Sequence, residues 1–600
     1  MAEPGSEGSW IQRWRLRLAA TAGDWPSRLA QGLVLDLLPL AAAAVLFGLS
    51  LRDSKLNEPF FVHGAYYALF GLSLAYVGVR LHGLGDVAQS RDWLKEHLPG
   101  LVAAAVITTI VVLAVPAGFR VLADETNLIG VSKNLFFHRT ADFVVTGKWY
   151  FENYWSLDRA TARRPILFQF LVSLVHVVRG YDANNGFYLN ALVFACFVFS
   201  SYRLAKSLGG QTLGLVAAVL VAAAPNVLVV TRSAGFDLLA TYLLLLVVSS
   251  FLDYLRAPTP RRLALVVLHL CLLTHVRYEG VGLLIVAIVV LAALRVLKPA
   301  NLRGYGWLYS WLPLCLLPRY WQAIAKADDA EQPLSASLFG TSYFAQNVGE
   351  LLQPLKKPFE ANGPHASLVI LLAGSGCALL LVRLFQRARA RTLTRTGVYF
   401  SLFVLALVSA EAAVCFLYNW GHPQHPASAR LFVWFDALTA FCAAYCLFWI
   451  GRLLTTTASG VRRLSSALVP MFLSAMLFAM HVPAASEGRY INALVLTRSA
   501  AESWRFFESL GDKRILVLSD RPGLFTVMDY GASHITNADR GPLLELSRHL
   551  YQDIYLVQEV DLATHEPKPK FDPWPDVAKE TVMEFQCSAT DSIRIAKVKH

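Results

Sequence analysis

Long apolar runs separated by short loops that carry arginine dominate this sequence, and they constrain its fold more than any other feature. Of its 600 residues, 55% are apolar and 16% are charged, whereas an ordinary soluble domain has about 25% charged residues. A run of about 20 apolar residues is long enough to cross the hydrocarbon core of a bilayer. The sequence therefore predicts a mainly α-helical, polytopic membrane protein and excludes a water-soluble enzyme.

The loop charges predict how the chain is threaded through the membrane. The net charge is +12, and the excess basic residues lie mostly at span ends. Because basic loops stay in the cytoplasm, this pattern places the N-terminus inside and explains the charge better than nucleic-acid binding does. We predict thirteen spans, which leave the C-terminus outside: residues 29–51, 63–80, 99–118, 187–206, 211–231, 237–255, 263–275, 280–297, 305–319, 366–386, 397–418, 431–451 and 464–483.

The segment from residue 164 to residue 180 is ambiguous, because counting it as a span reverses every later loop. It contains Gln169, Ser173 and His176, which are poorly suited to a bilayer interior. When it is left out, the later arginine-bearing loops all fall on the cytoplasmic side. We therefore interpret it as a half-buried helix that enters from the outer face and packs against protein.

The chain divides into three predicted parts. Residues 1–28 form a cytoplasmic segment, residues 29–484 form the transmembrane domain with long outer loops at 119–163 and 320–364, and residues 485–600 form an extracytoplasmic domain. The last part reads as a small α/β domain, with strands at 514–520 and 554–560, a helix at 541–551 and alternating strands over 580–598. This organisation is typical of a multi-pass protein of the plasma (inner) membrane.

An acidic pair, Asp124 and Glu125, opens the first long outer loop. Leu128, Val131 and Leu135 then recur at helical spacing, which predicts an amphipathic surface helix. One interpretation makes Asp124 the N-cap of this helix and Glu125 a first-turn acid. The other makes one of the two carboxylates a base that takes a proton from an acceptor hydroxyl, with Asp124 as the first candidate. The sequence leaves both interpretations open.

Further ionisable residues fall on the same face of the predicted topology. Charged groups at membrane depth cost roughly 2.5 to 3.5 kcal/mol on insertion scales, so such a cluster usually lines a polar cavity. Arginine forks suit a phosphate or diphosphate, although interfacial anchoring or pairing with nearby acids is the alternative for each of them, as with Arg277 and Glu279. The candidate phosphate-binding residues are Arg164, Arg232, Arg277 and Arg430, and the candidate substrate-binding residues are Asp237, His275 and Glu279.

Metal binding is weakly signalled. His422 and His425 lie three residues apart in a loop with two prolines, which is a poor pattern for a metal site. We assign no metal and expect no required cofactor. The aromatic stretch from Trp149 to Trp155 is typical of a membrane-interface belt, with sugar stacking as the second interpretation.

Four stretches carry a family resemblance. ADETNLIGVSKNLFFHRTADF (123–143) resembles the first outer loop of the C-type polytopic glycosyltransferases, in the branch of the protein O-mannosyltransferases and the lipid A aminoarabinose transferase, where an acidic pair begins the loop. RRPILFQFL (163–171) looks like the family's H/K-P-P-L-Y segment, with Ile166 in place of the second proline. PNVLVVTRSAGFDLL (225–239) and LLTHVRYEGVGLL (272–284) are similar to two further motifs, with His275 where the family usually has lysine.

The resemblance covers roughly residues 100–300. It implies a transferase that moves a hexosyl or pentosyl group from a polyprenyl-phosphate donor to a glycan, lipid or protein acceptor on the outer face, by an inverting displacement. Asp124 is then the base or its close partner, with Glu125 as a second contact, and Arg164 and Arg277 lie near the lipid phosphate. The alternatives are a transporter, in which Asp36, Asp436 and Glu411 relay protons, and a non-catalytic lipid-handling protein. No partner of nucleic-acid type is expected.

The topology is tested by thiol labelling. We expect a cysteine placed at Ser207 to resist an impermeant reagent added from outside, and one at Asn362 to react, because the first lies in a predicted cytoplasmic loop and the second in an outer one. The parent protein gives the labelling background. The reverse pattern would contradict both the topology and the shared outer site.

Overall fold

The fold is given by a computed structural model, which describes residues 37–82, 87–150, 153–328, 338–356, 363–423, 425, 428–453, 461–487, 493–511, 514–536, 550–587 and 590–599. It is mainly helical. In chain order its helices are α1 (Leu38–Arg52), α2 (Asn57–Leu81), α3 (Val87–Ala114), α4 (Leu122–Phe137), α5 (Leu167–Arg179), α6 (Asn185–Gly209), α7 (Gln211–Ala223), α8 (Pro225–Thr231), α9 (Asp237–Arg256), α10 (Pro260–Thr274), α11 (Glu279–Ala293), α12 (Pro299–Arg303), α13 (Gly306–Asp328), α14 (Thr341–Leu351), α15 (Gln353–Lys356), α16 (Gly363–Arg389), α17 (Arg395–Leu417), α18 (Val433–Leu453), α19 (Val461–Ser486), α20 (Ala493–Leu510) and α21 (Gly523–Thr526).

Twelve of the thirteen predicted spans coincide, over their described residues, with one helix each, and the span 211–231 is divided into α7 and α8. Not every one of these helices meets the length and composition of a span. Among the described residues, eight helices are long and apolar enough to cross a membrane, and nine if α7 and α8 count as one bent span. Helices α1, α10 and α11 have 15 residues each, and α13 contains two prolines. The structure thus supports a multi-pass membrane protein, while the number of thirteen and the orientation stay predictions.

The bend between α7 and α8 directs the chain toward the candidate site. The two helices meet at 70°. Ala224 adopts an extended conformation, as a residue before proline does, and Pro225 then begins α8. Helix α8 is only seven residues long, so the following turn at residues 232–236 lies against the start of α4, where the backbone N–H of Gly118 donates to the carbonyl of Arg232.

The ambiguous segment folds as the short helix α5, whose 13 residues are too few to span a bilayer. Helix α5 is buried along most of its length, including Phe168, Phe170 and His176, and only its last turn, with Val177 and Val178, is exposed. The helix packs against α4 and α6. A short helix that packs against protein is therefore confirmed for this segment, but more than half of it is buried, and the side from which it enters stays a prediction.

A seven-stranded mixed sheet lies outside the helical region, in the order β2-β1-β4-β3-β5-β7-β6. The predicted strands near 514–520, 554–560 and 580–598 are confirmed, whereas most of the predicted helix at 541–551 lies outside the described residues. The strands are β1 (Asp142–Tyr150), β2 (Asn153–Thr161), β3 (Ile515–Ser519), β4 (Gly531–His534), β5 (Asp553–Asp561), β6 (Lys579–Gln586) and β7 (Asp591–Val598).

Two strands of this sheet come from the first long loop, which the sequence analysis did not predict. The hairpin β1–β2 holds the aromatic stretch that was interpreted as an interface belt, and it joins the C-terminal strands where Gly147 pairs with Ala532. The indole N–H of Trp149 donates to the carbonyl of Asp529 over 2.7 Å. The proposed division of the chain at residue 485 stays a prediction, but the C-terminal strands and the first long loop build one sheet.

The close crossing of α16 and α18 depends on a glycine. A Cβ atom added at Gly376 would lie 1.9 Å from the carbonyl oxygen of Cys442, which is a backbone atom of α18. Backbone atoms in a packed helix pair cannot retreat without moving the helix. The side chains of Cys377 and Cys442 accordingly lie 3.3 Å apart, sulfur to sulfur.

We expect Gly376→Ala to lower the free energy of unfolding of the detergent-solubilised protein by about 1–3 kcal/mol, because the added Cβ atom forces α16 away from α18. Gly374→Ala is the matched control, since a Cβ atom there meets nothing within 4 Å. Thermal unfolding followed by tryptophan fluorescence measures both variants. Equal stability of the two would show that the helices separate without strain.

Candidate active site

The acidic pair lies in the first turn of α4. This helix begins at Leu122 after Val121, so the predicted helix is confirmed. The expectation that it lies at the surface is wrong, because its polar residues Ser132 and Asn134 are buried as well as Leu128, Val131 and Leu135. The interpretation of Asp124 as the N-cap is wrong: Val121 holds that position and makes no side-chain cap. The Asp124 carboxylate is therefore available to groups outside its own helix.

Two guanidinium groups converge on Asp124. Nη2 of Arg164 donates to both carboxylate oxygens, over 3.0 Å to Oδ1 and 3.1 Å to Oδ2, and Nη2 of Arg430 donates to Oδ2. Burial raises the pKa of Asp124, but Arg430 and Arg164 outweigh burial and hold the pKa below its ordinary value. The carboxylate, with 21% of its side chain exposed, is ionised and accessible from one side.

Both arginines are held in place by neighbouring elements. Gln322 of α13 donates from Nε2 to the backbone carbonyls of Ala162 and Arg164, over 2.8 Å each, which fixes the segment that carries Arg164. Arg430 lies in a single 3₁₀ turn, Ala429–Phe432, directly before α18, and its side chain is only 10% exposed. Its guanidinium group lies over the ring of Phe236 at 5.9 Å. The segment that carries Arg164, helix α13 and the turn that carries Arg430 thus position the two guanidinium groups beside Asp124.

Glu125 has a different environment from its neighbour. It is buried, and its carboxylate accepts backbone N–H groups of Arg120 and Ala234 over 3.0 Å each and of Val121 over 3.4 Å. Burial raises the pKa of Glu125 to about 7, against the opposing effect of the Arg120 and Ala234 N–H groups. These contacts tie the start of α4 to the turn after α8, which is a positioning arrangement.

Arg277 forms a second ionic cluster with two predicted substrate-binding residues. Its guanidinium donates to Glu279 over 2.7 and 3.2 Å and to Asp237 over 3.4 Å, and only 8% of its side chain is exposed. A small cavity of about 10 Å³ is lined by Arg277, Glu279 and Glu411. The geometry favours the ion-pair interpretation of Arg277, and its predicted contact with a donor phosphate stays a prediction.

Arg232 and His275 are not brought into contact with Asp124. Nε of Arg232 donates to the carbonyl of Val115 over 3.1 Å. Nε2 of His275 lies 2.8 Å from the carbonyl of Cys315, and the residue is 1% exposed, so it joins α10 to α13. These contacts are structural, and the binding roles assigned from sequence stay untested predictions.

The sequence analysis missed Arg120. It is 4% exposed, and none of its three side-chain nitrogens has a hydrogen-bond partner among the described atoms. The carboxylates of Asp237 and Glu125 lie near enough to stabilise its charge, although burial lowers its pKa to about 10. Arg120 follows the predicted span 99–118 on its outer side, whereas arginines usually flank spans on the cytoplasmic side. This unusual position is the sequence signal by which Arg120 could have been identified.

The residues considered for metal binding or proton relay have other contacts. Nδ1 of His422 lies 3.1 Å from Oε1 of Glu350. Within the described part of the chain, no group of three or more His, Cys, Asp or Glu residues could hold a metal ion. Asp436 accepts the backbone N–H of Asn226 over 3.1 Å, and Asp36 lies outside the described residues.

We expect Arg277→Gln to lower the free energy of unfolding by about 3–5 kcal/mol, because it removes the guanidinium that pairs with the buried Asp237 and with Glu279, whose side chain is 18% exposed. The double variant Arg277→Gln/Glu279→Gln should be more stable than the single one, since it also removes one of these charges. Arg505→Gln, at a side chain that is 71% exposed, is the control. Normal stability of Arg277→Gln together with weakened donor-lipid binding would instead assign Arg277 to the phosphate.

Part of the chain is similar to a known protein family. Residues 163–321 match the family model of the dolichyl-phosphate-mannose-protein mannosyltransferases. This range contains Arg164, Asp237 and Arg277. No curated protein sequence matches the chain.

Several solved structures align with the chain at low identity. ArnT from Cupriavidus metallidurans bound to undecaprenyl phosphate is 12% identical, covering 82% of this chain and 97% of its own, with a TM-score of 0.48. The oligosaccharyltransferase AglB from Archaeoglobus fulgidus, in complex with an inhibitory peptide and a dolichol-phosphate, is 12% identical over 77% and 70%, with a TM-score of 0.43. The arabinofuranosyltransferase AftD from Mycobacteria is 14% identical over 84% and 41%, with a TM-score of 0.45. In its motifs and in the family model that matches it, the chain resembles the C-type membrane glycosyltransferases of the protein O-mannosyltransferase and aminoarabinose transferase branch.

Proposed function

We propose that this protein is a membrane glycosyltransferase that moves a sugar from a polyprenyl-phosphate donor to an acceptor hydroxyl on the outer face of the plasma membrane. The observation that carries the proposal is the convergence of Arg164 and Arg430 on Asp124. A carboxylate and two guanidinium forks at one point supply both a base and a seat for a phosphate. The family model matched by residues 163–321 is named for a polyprenyl-phosphate sugar, which supports this donor class.

The chemistry divides between the two kinds of group. In an inverting displacement, the acceptor oxygen forms a bond to the anomeric carbon while the bond from that carbon to the phosphate oxygen breaks. Asp124 accepts the proton of the acceptor hydroxyl, and the lipid phosphate leaves with the bonding electrons. Arg164 and Arg430 stabilise the negative charge that develops on the leaving phosphate. No further reactant is required for the balance of atoms and charge.

The other candidate residues have supporting parts in this proposal. Glu125 holds the turn at Ala234 and so fixes the height of α4. The cluster of Arg277, Asp237 and Glu279 joins the starts of α9 and α11 beneath the site. Arg232 and His275, which were candidates from sequence, hold the backbone at Val115 and Cys315. A long apolar donor reaches the site from within the bilayer, among the transmembrane helices of residues 29–484.

The base role of Asp124 has a direct test. We expect Asp124→Asn to lower the rate of sugar transfer about 100-fold or more with normal expression, because a positioned base typically contributes about 10² to 10⁴ in rate. Transfer is measured with purified protein and a polyprenyl-phosphate sugar, by release of the polyprenyl phosphate. Release in the native protein also separates this function from a transporter or a lipid-handling protein.

Arg505→Gln serves as the control, since that side chain is exposed and pairs with Glu502 one helical turn away. It should retain the native rate. Near-native transfer by Asp124→Asn would reject Asp124 as the base and make Glu125 or Asp237 the next candidate.

A further inference from the structure

We infer that the Asp124 carboxylate and the donor phosphate compete for the same guanidinium groups of Arg164 and Arg430, so that Asp124 becomes available as a base only when the donor binds these arginines. The inference rests on the proposed function. It adds an order of events to the reaction: the donor binds before the acceptor hydroxyl is activated.

The contacts of Asp124 conflict with a base that is ready to act. Arg164 donates to both of its carboxylate oxygens, and Arg430 donates to Oδ2. Two guanidinium groups stabilise the ionised carboxylate and thereby weaken its affinity for a proton. A carboxylate held in this way is a poor acceptor for the proton of an acceptor hydroxyl. The base must therefore leave these two arginines before it can act.

The donor phosphate has the chemistry to displace it. A sugar linked to a polyprenyl chain through one phosphate is a phosphodiester, which has one negative charge and two non-bridging oxygens. A carboxylate also has one negative charge and two equivalent oxygens. Both anions accept the paired N–H groups of an arginine fork. Each arginine contacts Asp124 through Nη2. In this inference the donor phosphate takes the same Nη2 donors, so the two anions alternate there.

The surroundings favour such an exchange. Arg430 is 10% exposed, so its charge is costly without nearby anions. The carboxylates of Asp237, Asp124 and Glu125 stabilise this charge, and Asp124 also accepts a hydrogen bond from Nη2. Asp124 and Arg164 are more accessible, with 21% and 38% of their side chains exposed. In this inference the partly exposed carboxylate turns away once the phosphate binds the arginines. Glu125 does not compete for them, because backbone N–H groups hold its carboxylate.

The inference predicts that removing the carboxylate strengthens the binding of the lipid phosphate. Undecaprenyl phosphate in detergent micelles is the probe, and its dissociation constant is measured for the native protein and for Asp124→Asn. We expect about tenfold tighter binding to Asp124→Asn. If the Asp124 carboxylate holds the arginines in about nine-tenths of the native molecules, the apparent affinity for the lipid phosphate is about tenfold lower. Glu502→Gln, which removes a partly exposed carboxylate that pairs with Arg505 away from the site, should bind within about twofold of the native protein.

A second variant, Asp124→Ala, tests the inference without an asparagine side chain that could itself contact the arginines. In Asp124→Ala the seat is empty, so formate should occupy it and weaken binding of undecaprenyl phosphate in a competitive manner. The native protein should not respond to formate at the same concentration. Equal or weaker lipid binding by Asp124→Asn, or no effect of formate on Asp124→Ala, would overturn the inference.

Failure of the proposed function gives a different result. Arg164→Gln should weaken undecaprenyl phosphate binding if the arginines form the donor site. If Arg164→Gln weakens binding while Asp124→Asn leaves it unchanged, the donor site stands and the exchange is wrong. If none of these variants changes binding, the donor site itself is wrong.

Discussion

The ionic contact of Asp124 with Arg164 and Arg430 is the interaction on which the rest of the candidate site depends. It joins the first turn of α4, the segment before α5 and the turn before α18. Arg164 follows Asp124 by 40 residues along the chain, and Arg430 follows it by 306 residues. A largely buried charge is costly unless an opposite charge lies beside it. The need to pair these charges therefore fixes the relative positions of three parts of the chain and places a carboxylate beside two guanidinium groups.

The sheet reinforces this arrangement from the other side of α4. Lys133 of α4 pairs with Asp529, and its ammonium also donates to the carbonyl of Thr526 over 3.1 Å. The hydroxyl of Thr526 donates to the carbonyl of Val144 in the hairpin over 3.2 Å. The helix that carries Asp124 is thus held by the C-terminal strands as well as by the membrane helices.

Part of the candidate site was predictable because the membrane limits where polar residues can lie. Once the spans and the basic loops are assigned, ionisable residues that fall between spans on one face must share a surface. This argument selected Asp124, Arg164 and Arg430, which the structure brings together. It also selected Arg232 and His275, which have backbone partners instead, because a shared face sets depth and not contact. Arg120, which lies between α3 and α4 and is buried, was not selected in this way.

The sequence by itself determined the helices and the C-terminal strands, because hydropathy over about 20 residues and alternation over a few residues are local properties. It did not determine that the hairpin at 142–161 completes the C-terminal sheet, since strand pairing depends on a partner almost 400 residues away. Only the tertiary structure decided that Asp124 meets two arginines while Glu125, one residue later, meets backbone N–H groups. On a helix, successive side chains point about 100° apart, so neighbours in sequence face different parts of the fold.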